Sequence, residues 1–150
     1  MDPDNSPTLE EVLTLDLVCL HDPDGGPLNA ETHRERLVIS IPTSEWVCLR
    51  RDGLLVAYGY LWSQGPGDWF VGGIAIHPKY RAAPTIAALG AAMRERIEGL
   101  GIATLRSHVL RSNAASLRLH RRLGFAVEQE NERAIAFVAN GADLVSRLPV

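Results

Sequence analysis

Two stretches of the chain carry residue types that could hold or move charge. The first is GGIAIHPKYRAAPTIAALG, residues 72–90, in which an apolar strand runs into a short loop and then a helix start. A junction of that kind seats anions, because the first N–H groups of a helix have no intrahelical partners and lie at the positive end of its dipole. Arg81 adds a cation and Thr85 a hydroxyl, yet the loop is Ala82, Ala83, Pro84, Thr85 and Ile86 with no glycine. Proline removes one N–H donor and isoleucine brings bulk where an anion must come close. The helix itself is unharmed, since proline suits a first turn. The junction is therefore shaped like a phosphate cradle with one donor missing and a narrower mouth.

The second stretch is NAASLRLHRRLGF, residues 113–125. Read from its residues alone, Asn113 caps a helix, Leu119 is core and His120 is a helix histidine among arginines. Arg106, Arg111, Arg118, Arg121 and Arg122 make this region basic, which reads as a solvated face or as attraction for an anionic ligand. His108 lies on the preceding strand and faces away from Val109, because strand side chains alternate. No general base stands out; Asp68, Glu45 and His108 are the candidates, and His77 before Pro78 shapes the exit of its strand. In HDPDGGPLNAETH, His21, Asp22, Asp24 and His33 fit no metal-ligand spacing, and the composition is that of a surface loop. No metal is expected.

The totals narrow the field. The chain has 150 residues, enough for a single domain (1–150) with its own core, and residues 1–7 read as a loose tail. A net charge of -3 argues against non-specific nucleic-acid binding. Cys19 and Cys48 sit in apolar runs without a CxxC pattern, as reduced buried thiols do. No apolar run reaches the roughly 18 residues that span a bilayer, and the acidic, proline-rich start resembles no targeting peptide, so a cytoplasmic location is expected.

Elements must position these residues. Thr8 caps a first helix, with Glu10 and Glu11 in its first turn, and a second short helix runs from about Ala30 to Leu37. Strands follow at Trp46–Leu49, Leu54–Leu61 and Trp69–Ile76, turning at Asp52-Gly53 and at GPGD. Ile86, Leu89, Met93, Ile97 and Leu100 recur at helical spacing, and Gly99 and Gly101 end that helix. IATLRSHVL is a strand, Asn113–Leu123 a helix, and FAVEQ and AIAFVA are strands. The strand-helix-strand unit around residues 86–97 calls for a crossover that puts two parallel strands inside an otherwise antiparallel sheet. Trp46, Tyr58, Tyr60, Trp62 and Trp69 on neighbouring strands read as core and cross-strand packing, with Tyr58 or Tyr60 available to line an acceptor pocket. The fold class is α/β (α+β), a mixed, mostly antiparallel sheet of six to seven strands flanked by about four helices.

With that order, IAIHPKYR running into its helix and Asn113, Ser116, Leu119, Gly124 and Phe125 at their offsets, the chain resembles the GNAT superfamily of acyl-CoA N-acyltransferases. The likeness is close over roughly residues 45–130. It implies transfer of an acetyl or other acyl group from acyl-CoA to a small-molecule or protein amine. It also implies that the loop from Arg81 to Ala87, with Ala82, Ala83, Thr85 and Ile86, seats the pyrophosphate. Ile74, Ala75 and Ile76 would offer backbone donors to the arm and the oxyanion, Asn113 and Ser116 would contact the arm, and His120, where the family has tyrosine, would be the acid. His108 is carried beside it as a catalytic candidate. Pro84 stands where the family has glycine and Ile86 where it has a small residue. Those two departures support a rival reading, a domain of this shape that has lost CoA and acts as a binding or dimerisation module. A third reading takes the acyl group from a carrier protein. A homodimer is expected by analogy.

Overall fold

The computed structural model describes residues 6–21 and 25–149. Its elements run α1 (Leu9–Cys19), α2 (Ala30–Thr43), β1 (Glu45–Arg51), β2 (Leu54–Gly65), β3 (Asp68–Ile76), a 3-10 turn (Pro78–Tyr80), α3 (Ala83–Gly99), β4 (Thr104–Leu110), α4 (Ala114–Arg122), β5 (Ala126–Glu130), β6 (Ala134–Asn140) and α5 (Gly141–Arg147). The six strands are hydrogen-bonded in the order β1-β2-β3-β4-β6-β5. β1–β2, β4–β6 and β5–β6 pair antiparallel, while β3 and β4 are parallel. The mixed sheet, six strands and parallel pair agree with expectation. Among the described residues the helices number five against about four expected, α5 being the addition.

Local chemistry explains the boundaries. Thr8 caps α1, its hydroxyl accepting from Glu11 N while Glu11 accepts from Thr8 N, a reciprocal capping box. Asp52 and Gly53 take φ of 51° and 80°, as a two-residue hairpin with the native strand twist requires. Gly124, at φ 83°, closes α4 in the left-handed region. α2 runs six residues beyond its expected end at Leu37, to Thr43, and carries Pro42 within its last turn. Of the loose tail expected over residues 1–7, only Ser6 and Pro7 are described; Pro7 is buried and the Ser6 carbonyl accepts from Arg50 at 3.4 Å.

Two compact units can be distinguished, one of Met1–Leu61 with Gly73–Leu89, the other of Trp62–Gly72 with Gly90–Val150. In the first, Val12, Leu13, Leu15, Leu37, Trp46, Cys48, Leu55, Tyr58 and Ala75 form one buried cluster. Trp46 stacks on its cross-strand partner Tyr60 at 4.3 Å and tilts against Tyr58 at 5.1 Å. In the second, Leu105, Val109, Ile135 and Phe137 on β4 and β6 are buried, and Ile97 and Leu144 add the helical contribution. Leu89, Met93 and Ile97 are the buried stripe of α3 as the spacing predicts, but Ile86 is not part of it: it is 50% exposed, and Thr85 is the buried residue of that turn.

Candidate active site

The junction that opened the sequence lies within the first unit. Pro84 occupies the first turn of α3, and the helical bonding starts with Ile86 N donating to Ala82 O at 3.1 Å. Ala82 N is already used by Tyr80 O at 2.8 Å. Ala83 and Thr85 are thus the first-turn residues with N–H groups to offer, at the positive end of a helix of 17 residues. Arg81 is held beside them: its Nε donates to the carbonyl of Ile76 at 2.9 Å, and the exposed residue also acts on the Cys19 thiol. The same carbonyl accepts from the Cys19 thiol at 3.4 Å, and burial pushes that thiol up from its ordinary pKa. His77 N donates to Val56 O at 2.8 Å, which fixes the end of β3 against β2. Ile86 and Ala87 stand exposed on the surface of the same turn.

Along β3, Ala75 is buried and Ile74 is exposed. Gly73 is needed by its neighbour: a Cβ there would lie 2.9 Å from Tyr60 Cε1, so the tyrosine ring rests directly on the strand backbone. In the second unit the parallel ladder is short, pairing Asp68, Trp69 and Phe70 with Thr104, Leu105 and Arg106. β4 by contrast pairs with β6 along its whole length, to Leu110 with Ala134.

The expected residues of the second unit are placed as follows. Asn113 caps α4, its Oδ1 accepting from Ser116 N at 3.1 Å, which leaves its amide hydrogens for other partners. His108 is exposed on β4 with its ring against the edge of Phe70 at 4.9 Å. His120 is 6% exposed, stacked on Phe137 and tilted against Phe125. A carbonyl can only accept, so the 2.7 Å contact of His120 Nδ1 with Ser116 O puts the proton on Nδ1. Nε2 then carries the lone pair and accepts from the Ser107 hydroxyl at 2.9 Å. Burial depresses the pKa of this imidazole below its ordinary value. A neutral ring whose one proton is already donated suits a tie between α4 and β4 better than the acid that the tyrosine position implies. The basic stretch is also partly spoken for: Arg106 pairs with Glu128 at 3.0 Å and Arg111 with Glu130 at 2.8 Å.

His120 makes a pH prediction. Its folded-state pKa lies below the unfolded value of about 6.5, so the unfolded chain takes up the proton first and stability falls as pH drops below that value. Thermal unfolding between about pH 7 and pH 5 should show a steeper loss in the parent than in His120→Gln. Equal slopes would mean that the imidazole is not held neutral.

Sequence reasoning missed a group of polar side chains centred on Asp16. Asp16 on α1 is 1% exposed, accepts from the Tyr58 hydroxyl at 2.5 Å through Oδ1, and meets His33 Nε2 at 2.6 Å through Oδ2. His33 belongs to the stretch with His21, Asp22 and Asp24 whose spacing fits no metal-ligand pattern; Asp22 and Asp24 lie outside the described residues. Among the described residues no group of three or more His, Cys, Asp or Glu is arranged to hold a metal ion. No helix of the described residues is long and apolar enough to cross a membrane.

This frame can be set beside known proteins. The sequence profile of the Acetyltransferase (GNAT) family matches residues 9–125. The chain belongs to that family. Its reaction class is therefore acyl transfer from CoA to an amine, as the resemblance implied. No curated protein sequence matches the chain. Among solved structures, the GNAT fold is shared with the ribosomal-protein-S18-alanine N-acetyltransferase from Escherichia coli, at 20% identity and a TM-score of 0.69, covering 93% of this chain and 90% of the other. A PaiA N-acetyltransferase from Thermoplasma acidophilum in complex with coenzyme A is similar at 14% identity and a TM-score of 0.72, covering 88% and 92%. The spermidine/spermine N-acetyltransferase SpeG from Vibrio cholerae follows at 12% identity and a TM-score of 0.64, covering 93% and 91%.

Proposed function

We propose that this GNAT acetyltransferase moves an acetyl group from acetyl-CoA to a primary amine, with the cofactor's diphosphate at the N-terminus of α3. One observation carries the reading: Ala83 and Thr85 keep their N–H groups in a first turn from which Pro84 subtracts one, and Arg81 is fixed beside them on the Ile76 carbonyl. A diphosphate asks for donors and positive charge in one place, and this turn supplies both. Ala82, Ile86 and Ala87 form the remainder of that seat. The bound co-substrate brings an activated thioester carbonyl and a thiolate leaving group.

The chain's own groups do the rest. Backbone N–H groups of Ile74, Ala75 and Ile76 serve the pantetheine arm and the developing oxyanion. His120 holds α4 in place through Ser107, and solvent supplies the proton to the departing thiolate. A soluble amine such as a polyamine and the amino terminus of a protein both fall within the acceptor class. A cytoplasmic homodimer is the accompanying expectation.

Calorimetric titration with acetyl-CoA and with free CoA, followed by thiol release in the presence of amines, tests the reading. Micromolar binding with amine-dependent thiol release is expected. Absence of binding to either nucleotide would sink it and leave the binding or dimerisation module. Turnover with an acyl carrier protein and none with acetyl-CoA would move the donor assignment.

A further inference from the structure

The Asp16 cluster has no part in seating the diphosphate, and its chemistry is that of a proton acceptor. Its members come from three elements of the first unit: Asp16 on α1, His33 on α2 and Tyr58 on β2. The carboxylate takes two donors at short range, Tyr58 at 2.5 Å and His33 Nε2 at 2.6 Å. With Nε2–H donating to the carboxylate, the neutral imidazole has its lone pair on Nδ1, and Nδ1 is buried with no hydrogen-bond partner. The indole nitrogen of Trp46, whose ring packs on Tyr58 and Tyr60, is likewise buried without a partner. Folded proteins leave few such atoms, so two in one cluster call for an explanation. Side-chain exposure is 12% for His33 and 1% for Asp16, with Nδ1 itself among the covered atoms of the ring.

The cluster adjoins the end of β3. Asp16 and Cys19 are three residues apart on α1, hence on one face within about one 5.4 Å turn. The Cys19 thiol reaches the Ile76 carbonyl, and the Asp16 charge acts on both Cys19 and Tyr60. Tyr60 in turn lies on Gly73. Cys19 and Tyr60 therefore lie against the strand whose backbone is to hold the thioester, with Asp16 next to both and His33 Nε2 2.6 Å from its carboxylate.

We propose that His33, oriented by Asp16, is the general base that takes the proton of the acceptor ammonium. This deepens the acetyltransferase reading and rests on it. The ammonium N–H donates to His33 Nδ1 and the proton passes to it, giving an imidazolium held by the Asp16 carboxylate. The freed amine lone pair attacks the thioester carbonyl; the C–N bond forms, the C–S bond breaks, and the thiolate leaves with its electron pair. The second amine proton is lost to solvent, solvent protonates the thiolate, and the imidazolium returns its own proton to solvent. Asp16 and Tyr58 are positioning residues, and the half-buried Tyr60 offers aromatic surface to a cation. The titratable groups facing the imidazole are Asp16 and, in the field of its carboxylate, Tyr58, Tyr60 and Cys19. The adjacent Arg34 pairs outward with Glu10.

The test uses the whole protein with acetyl-CoA and n-butylamine. In His33→Gln, kcat/KM for the amine should fall about 100-fold near neutral pH, and the acid limb of its pH profile should vanish. Acetyl-CoA affinity should be unchanged. In Asp16→Asn the imidazolium loses its counter-charge, so the acid limb should persist and move to lower pH. Nitrogen NMR of labelled histidine gives a readout independent of turnover: n-butylammonium should shift the His33 Nδ1 resonance of the parent. Parental kinetics and limb in His33→Gln, with thiol still released, would overturn the assignment and leave the acetyltransferase reading intact. An unmoved limb in Asp16→Asn would also overturn it, and serves should His33→Gln not fold. A parent that binds neither CoA nor acetyl-CoA fails at the earlier step, and an unmoved His33 resonance would then remove the amine site too.

Discussion

Gly141→Ala should unfold a large part of the protein's margin: a loss of roughly 3 kcal/mol or more, and a melting temperature lower by about 6 °C or more. The glycine opens α5 directly after its cap Asn140 and is buried. Its N–H donates to Ala103 O at 2.8 Å, which draws the start of the helix onto the chain before β4. A Cβ built there would overlap Ile102 O and lie 2.9 Å from the carbonyl carbon. Both obstacles are backbone, so no rotamer change relieves them; either the Ala103 bond breaks or the chain before β4 moves. Gly99, the last residue of α3, is the control. Nothing lies within 4 Å of the Cβ it would gain, and Gly99→Ala should be neutral or stabilising by up to about 1 kcal/mol, since alanine is the better helix former. Chemical denaturation of both variants checks the pair. Equal stabilities would mean that α5 is not held against the chain before β4.

Little of this was available from the sequence. α5 has seven residues and only two buried ones, Gly141 and Leu144, too few to make a stripe, although Asn140 is a proper cap and Asp143 a proper first-turn acid. Elements with a long periodicity or a turn of fixed chemistry were legible: α1 from its Thr8 cap and first-turn acids, the β1–β2 hairpin from Asp52-Gly53, the close of α4 from Gly124. α2 overran its expected end because Pro42 falls in the last turn, where the remaining bonds are already few. In the candidate site, the N-terminal junction of α3 was legible because it is local, a strand end and helix start within twenty residues. Asp16, His33 and Tyr58 were not. Their hydrogen bonds span 17 and 42 residues, and within TLDLV an aspartate reads as a surface position on a helix. His120 shows the other limit of a local pattern. Its place in a familiar pattern suggested a proton donor, while burial and the Ser116 carbonyl decide its protonation.

Arg81→Ala should weaken acetyl-CoA by about 10- to 100-fold while leaving thermal stability close to the parent's, as removal of one charge-assisted contact at an exposed site does. The expectation follows from what the side chain does besides carrying charge. Nε is spent on the Ile76 carbonyl, so the guanidinium is pre-oriented, and its terminal nitrogens can grip an anion without further loss of rotamer freedom. Pro84 raises its importance, because a first turn with one fewer N–H leans harder on the cation beside it. The helix dipole and the N–H groups of Ala83 and Thr85 remain in the variant, which is why binding weakens and does not disappear. Calorimetry at two salt concentrations separates the contributions: parental affinity should fall with added salt, and that dependence should be shallower in Arg81→Ala. Arg81→Lys is the sharper comparison. A lysine restores the charge but has no second nitrogen to hold the strand carbonyl and the anion together, so it should recover only part of the affinity. Full recovery by lysine would show that charge alone matters at this junction, and that the bond to Ile76 is incidental.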